Sequence, residues 1–253
     1  MTANQPALDI EHLSLQIGGA RILEDVTLKV AEGEMLGVIG PNGAGKTTLF
    51  NLVSGVIVPT SGTIRLSGSD VTREQIHRRA RAGLGRTFQT SSLFNGLSAM
   101  ENVRLAAQVG LGGSLSIVRF PHRGDRASMI AMERLEEVGL AHHARTDAGV
   151  LSHGDKRKLE IAMLLSTDPR VILLDEPMAG VASGDVPGLV EVIRGLHRGS
   201  GRTVLMVEHH IDVVLGLVDR VAVMHHGQLL AHDTPEAIMA NPAVQGAYLG
   251  DAA

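Results

Sequence analysis

Gly40-Pro41-Asn42-Gly43-Ala44-Gly45-Lys46-Thr47 is the stretch that decides the fold. It fits the pattern G-x-x-x-x-G-K-[ST] completely. Before it stands the apolar run Met35 to Ile39, which reads as a buried strand. After it, Thr47 to Ser54 reads as a helix stopped near Gly55. Glycines let a backbone wrap closely, so successive N–H groups point at phosphate oxygens, and the following helix adds its positive end. Lys46 brings a point charge to the β- and γ-phosphates, and the Thr47 hydroxyl is a ligand for Mg²⁺. With Thr48, this loop is the predicted nucleotide cradle.

A phosphate loop alone leaves many nucleotide-using classes open, and the next element narrows them. Val171-Ile172-Leu173-Leu174-Asp175-Glu176 is an apolar strand ending in two carboxylates. Asp175 is placed to hold the Mg²⁺ shell and Glu176 to polarise an attacking water. Val204 to Val207 is another continuous apolar run, as expected of a central parallel strand covered on both faces. Leu189, Val190, Ile193 and Leu196 mark a helix between the two runs. Further out, Leu8 to Val30 reads as strands around a Gly18-Gly19 turn. Ile64 and Leu66 lie on the next strand, and Val221 to Met224 with Leu229 to Ala231 form a hairpin turning at His226-Gly227. Thr234-Pro235-Glu236 is a helix start. Apolar residues recur at helical spacing over Ser98 to Val109, Arg126 to Val138 and Gly154 to Leu165, with a Gly- and Ser-rich loop from Gly110 to Gly124. The whole is an α/β fold with a helical insertion.

Composition sets the outer limits. The chain has 253 residues, 44% hydrophobic and 20% charged, with a net charge of −4. That is ordinary globular composition. The slight acidity, with aromatics at 2%, argues against nucleic acid as a partner, since phosphate contacts need a basic face and bases need stacking platforms. No cysteine is present, which removes disulfides, thiolate metal sites and cysteine nucleophiles. Met1 to Leu8 carries no signal-peptide pattern, and no apolar run approaches the roughly 18 residues that span a bilayer. Membrane work would therefore need another chain.

The ordered motifs resemble those of the ABC ATPases. Leu151-Ser152-His153-Gly154-Asp155 looks like their signature motif, Phe88-Gln89 like their Q-loop, and Glu208-His209 like their switch histidine. Gly85-Arg86-Thr87-Phe88-Gln89, Leu159-Glu160-Ile161-Ala162 and Ala247-Tyr248-Leu249-Gly250 resemble the importer subgroup for branched-chain amino acids and for urea or amides. Leu151-Ser152-His153-Gly154 is like the urea members and the tail like the amino-acid members, so both stay open.

The resemblance implies one ABC ATPase domain over 1–253, a P-loop NTPase core with a parallel sheet and an N-terminal antiparallel β subdomain. Residues 1–88 and 168–253 would form the nucleotide-binding core and 89–167 the helical signature subdomain. It implies two such subunits head to tail, with ATP held by one P-loop and by Ser152 and Gly154 of the other subunit. Gln89 would join Thr47 and Asp175 at Mg²⁺, and Gln89 and His209 would join Glu176 in hydrolysis. The implied partners are transmembrane permease subunits, a second ATPase subunit and, indirectly, a periplasmic solute-binding protein. The implied place is the cytoplasmic face of the inner membrane. The rival readings are a non-transport ABC ATPase, such as an iron–sulfur assembly scaffold, and a generic P-loop kinase, against which the ordered motifs weigh.

Two departures stand out. Aligned on Leu15-Gln16-x-Gly18-Gly19, the family's adenine-stacking aromatic is Ile17 here. In Met178 to Ser183, Ala182 stands where an Asp is usual. Other residues read plainly. Arg78-Arg79-Ala80-Arg81 is expected as a solvated helix face. The pairs His142-His143, His209-His210 and His225-His226 are expected to diverge and chelate poorly, because adjacent side chains on a helix or strand point apart.

Overall fold

The computed structural model describes residues 5–87, 92–112, 125–199, 201–209 and 211–250, with residues 248–250 described by backbone alone. It divides into two compact units.

The first unit comprises Met1–Arg86, Arg170–Glu176 and Leu196–Ala253. In it, β1 (Leu8–Ile17) and β2 (Ala20–Val30) form an antiparallel hairpin. This joins β4 (Ser61–Leu66) and β5 (Ser69–Asp70) in the order β2-β1-β4-β5, with β3 (Met35–Ile39) leaving for a second sheet. That sheet runs β10-β9-β3-β8-β7-β6, where β6 is Leu84–Arg86, β7 Val171–Asp175, β8 Thr203–Val207, β9 Arg220–His225 and β10 Gln228–Asp233. Strands β6 to β9 and β3 are mutually parallel, and only β10 is antiparallel. Every residue of β3, β7 and β8 is buried, which is why each reads as an unbroken apolar run. Leu8, Ile10, Leu13, Val26 and Leu28 of the antiparallel sheet share one core with Leu36, Val38, Leu173, Leu205 and Ala222 of the parallel sheet.

Helix α1 (Lys46–Ser54) fills the space against this core through Leu49, Phe50, Leu52 and Val53, and ends where Gly55 turns into the left-handed region. Helix α2 (Ile76–Arg81) corrects one expectation. Its Arg78 and Arg81 stay outside, but Arg79 is 0% exposed. Arg79 donates to the carbonyls of Leu52 (2.6 Å) and Val53 (2.8 Å) in the last turn of α1, and to those of Thr72 and Glu74 (both 2.9 Å). The last carbonyls of a helix lack intrahelical donors and carry its negative end, so a buried cation is drawn there. Burial holds the Arg79 pKa below its usual value, with Glu74 and Asp70 opposing.

The second unit comprises Thr87–Pro169 and Pro177–Gly195. It takes in 177–195 besides the helical stretch read from sequence. Helices α3 (Ala99–Gly110), α4 (Arg126–Glu137) and α5 (His153–Leu165) pack pairwise. Their starts are set by N-caps: Ser98, Asp125 and Ser152 accept from the amides of Glu101, Ser128 and Asp155. Helix α6 (Val186–Arg198) begins in this unit and ends in the first. The later helices are α7 (Ile211–Leu215), α8 (Pro235–Met239), capped by Thr234, and α9 (Pro242–Gly250). Among the described residues, no helix is long and apolar enough to cross a membrane.

Candidate active site

A parallel sheet gathers its working loops at the carboxyl ends of its strands. Strands β3, β8 and β7 are neighbours, so the loop after β3, the end of β8 and the end of β7 meet. The phosphate loop follows β3. Gly40 sits at φ 152, and a Cβ there would lie 2.1 Å from the Met224 carbonyl oxygen. Gly45 caps α1 at φ 99, and a Cβ there would lie 2.7 Å from Leu23 Cδ2. No other residue type fits either place. Ala44 is buried and its carbonyl accepts from the Gly227 amide (3.1 Å), which fixes the loop to the β9–β10 turn. Asn42, Gly43 and Thr47 are exposed, Pro41 and Thr48 half-buried.

Lys46 is buried and curls back over the loop. Its Nζ donates to the carbonyls of Gly40 (2.6 Å) and Pro41 (2.9 Å). Burial lowers its pKa, and the Glu176 carboxylate acts against that shift. Glu176 follows β7 in the left-handed region (φ 47), uncommon for a residue with a side chain. The Glu176 amide donates to the Val207 carbonyl (2.9 Å), which holds the end of β7 on β8. Its Oε1 lies 2.8 Å from His209 Nε2. The buried Glu208 accepts from the His209 amide (3.1 Å). Asp175 is buried, and its Oδ2 accepts from Arg86 Nη2 at 2.7 Å.

Lys46, Asp175, Glu176 and His209 thus come together in the first unit. Ile17 lies there too, at the hairpin tip, opposite Ala20 and 55% exposed. Ser152 and Gly154 belong to the second unit. Ser152 Oγ accepts from the Asp155 amide (3.1 Å), so Ser152 is the N-cap of α5. Gly154 is buried, and a Cβ on it would lie 2.6 Å from Asp185 Cβ. Ala182 accepts from the Asp185 amide (2.8 Å) in the turn that delivers Asp185 there. Phe88, Gln89 and His210, and most of the loop from 110 to 124, lie outside the described residues.

Sequence reading missed Arg86 and Asp185, whose partners are distant in the chain. The expected divergence of adjacent histidines does not hold for two of the pairs. The rings of His142 and His143 lie 4.1 Å apart and those of His225 and His226 3.9 Å apart. The first pair sits on a 3₁₀ turn and the second at a left-handed His226, so neither follows regular helix or strand alternation. Among the described residues, no three His, Cys, Asp or Glu side chains gather as a metal cage.

The donor set fits a triphosphate with its divalent cation. The cradle leaves no room for a Cβ at Gly40 or Gly45, a buried ammonium lies over it, and Asp175 and Thr47 bring a carboxylate and a hydroxyl from β7 and α1. Fold and site together define a P-loop nucleotide-binding domain. The ABC transporter family matches residues 23–179, and the branched-chain amino acid ATP-binding cassette transporter family matches 228–253. The chain is 39% identical over 254 residues to BraF, a high-affinity branched-chain amino acid transport ATP-binding protein of Pseudomonas aeruginosa, covering 98% of this chain and 100% of that one. It is equally 39% identical over the same span to LivG of Escherichia coli, which carries the same description. Among solved structures, the ADP conformation of MJ1267, an ATP-binding cassette of an ABC transporter, superposes with TM-score 0.85 at 28% identity, over 97% of this chain and 99% of that one. The chain belongs to the ABC transporter ATP-binding family.

Proposed function

We propose that this chain powers an importer of branched-chain amino acids. It binds and hydrolyses ATP. The observation that supports the chemistry is the Glu176–His209 contact of 2.8 Å beside the buried Lys46. Gly40 to Thr48 cradle the phosphates, and Lys46 leaves its loop carbonyls for the β- and γ-oxygens. Glu176 takes a proton from the attacking water, and His209 holds that carboxylate in place. Asp175 and Thr47 are the residues that would hold Mg²⁺, with Gln89 joining them. Mg²⁺, when bound, neutralises phosphate charge.

Ser152 and Gly154 act on the ATP of a second ATPase subunit, through the free amides at the start of α5. Ile17 covers one face of the adenine by apolar contact. The chain sits at the cytoplasmic face of the inner membrane, held by transmembrane permease subunits that receive solute from a periplasmic binding protein. The substrate class rests on full-length likeness to BraF and LivG and on the match at 228–253. The urea-like Leu151-Ser152-His153-Gly154 gives urea a place as the competing substrate.

The test is co-expression with permease subunits of branched-chain amino acid and urea importers, reconstitution in vesicles, and ATP-driven uptake of labelled leucine and urea. Leucine uptake that requires ATP and this chain is expected. Uptake of urea alone, or recovery of soluble partners and no permease, would overturn the reading.

A further inference from the structure

Arg86 is a buried cation that the hydrolytic roles above do not use. Its side chain is 7% exposed and that of Asp175 2%. It ends β6, opposite Leu173 on β7, and so lies beside the strand that delivers Asp175. Nη2 donates to Asp175 Oδ2 (2.7 Å), while Nη1 donates to Asn51 Oδ1 (2.8 Å) and Ser54 Oγ (2.7 Å). Asn51 and Ser54 are both on α1, the helix whose first residues are Lys46 and Thr47. The guanidinium also lies 5.9 Å from the ring centroid of Phe50, on the same helix.

One rigid, planar group therefore ties the carboxylate at the end of β7 to the helix that bears the Thr47 hydroxyl. A guanidinium can do this because its donors form a fixed fork; an ammonium is a single point on a flexible stem. Arg86 is also three residues before Gln89. We infer that Arg86 is a positioning residue for the divalent cation: it fixes the spacing and orientation of Asp175 relative to Thr47 and thereby sets Mg²⁺ affinity in the nucleotide complex. This rests on the proposal that Asp175 and Thr47 hold Mg²⁺. Partners that orient a metal ligand typically change metal affinity about 10- to 100-fold when removed.

The experiment uses the purified full-length chain and measures the ATP dissociation constant in EDTA and in saturating Mg²⁺. The ratio of the two reports the metal's share. Mn²⁺ in place of Mg²⁺ gives a spectroscopic signature of the bound ion. In Arg86→Met the ratio should fall about tenfold, with metal-free ATP binding within about twofold of wild type. Arg86→Lys should restore part of the ratio, since it can meet Asp175 but cannot hold α1 as well. Asn51→Ala keeps the Arg86–Asp175 pair and removes one of the two anchors on α1, leaving Ser54, so it should lower the ratio in the same direction but by less than Arg86→Met. If Arg86→Met does not fold, Asn51→Ala and Arg86→Lys decide.

A ratio and Mn²⁺ spectrum unchanged in these variants, while metal-free binding and melting temperature fall, would make Arg86 a brace only and overturn the inference. Asp175→Asn separates the two layers. If it leaves the ratio unchanged, the proposed metal role of Asp175 fails. If it lowers the ratio and the Arg86 and Asn51 variants do not, the positioning role alone fails.

Discussion

Replacing Arg79 by Met should destabilise the first unit by about 3 kcal/mol, a value that can be built from its contacts. Four carbonyls accept from the guanidinium, those of Leu52, Val53, Thr72 and Glu74. A hydrogen bond to a charged group contributes about 1.5–3 kcal/mol net, so the set is worth roughly 6–12 kcal/mol before offsets. Desolvating the cation costs several kcal/mol, and methionine removes that cost. Methionine also fills much of the space, so no large cavity adds to the loss. Water can reach Thr72 and Glu74 more readily than Leu52 and Val53, since only the latter two bonds are fully buried. The Leu52 carbonyl keeps the Gly55 amide (3.2 Å), so it loses one bond worth about 1 kcal/mol, while the buried Val53 carbonyl loses its guanidinium donor at about 1–3 kcal/mol; together these give about 3 kcal/mol. At about 2–4 °C per kcal/mol for a chain of this size, the melting temperature should drop by about 6–12 °C. Arg79→Lys should lose roughly half as much, because three donors on one nitrogen cannot span two segments. Thermal unfolding followed by circular dichroism is the assay. A drop under about 2 °C in Arg79→Met would refute the claim that this arginine closes the end of α1.

Other outcomes follow from the same geometry. Lys46→Ala should weaken Mg²⁺–ATP binding by at least about tenfold in calorimetry, since a buried charge beside the phosphates is lost. Ile17→Tyr should tighten ATP binding, because stacking a base on an aromatic is worth about 1–3 kcal/mol, and paired titrations with GTP read whether discrimination rises with it. The His232 pKa is pushed from 6.5 down to about 4, first by burial and then by Arg220, with Asp233 opposing. Between those values the unfolded chain binds a proton that the folded chain refuses, so stability falls as pH falls from about 6.5 to 4 and levels off below. His232→Gln should flatten that limb of a stability–pH curve by about 1–2 kcal/mol, after allowing for the exposed edge of the ring.

Much of the fold was legible because its signals are local. The Gly40–Thr47 loop specifies strand, turn and helix within a short span, and β3, β7 and β8 announce themselves as apolar runs. Thr234-Pro235-Glu236 marks a helix start by cap chemistry, and the structure caps that helix with Thr234. What escaped the sequence depends on distance along the chain. Arg79 reads as surface charge until α1 is laid beside α2. Strand β6 has only three residues, too few for a period, so Arg86 has no visible partner until β6 pairs with β7. Asp185 meets Gly154 from a turn about thirty residues downstream, and nothing local predicts that approach. The expected divergence of His142-His143 and His225-His226 failed for another reason: the alternation rule assumes regular backbone, the first pair sits on a 3₁₀ turn, and His226 lies at φ 46.

The central claim is that Glu176, held by His209 beside the phosphate loop, is the base for ATP hydrolysis. Its most direct test is Glu176→Gln, with phosphate release and ATP affinity measured on the same preparation of the assembled complex. The amide keeps the shape and cannot take the proton. General-base contributions are typically 10²–10⁴-fold, so turnover should fall at least about 100-fold while ATP affinity stays within about threefold. An ATP-bound dimer should accumulate. Turnover at the wild-type rate in Glu176→Gln would contradict the account.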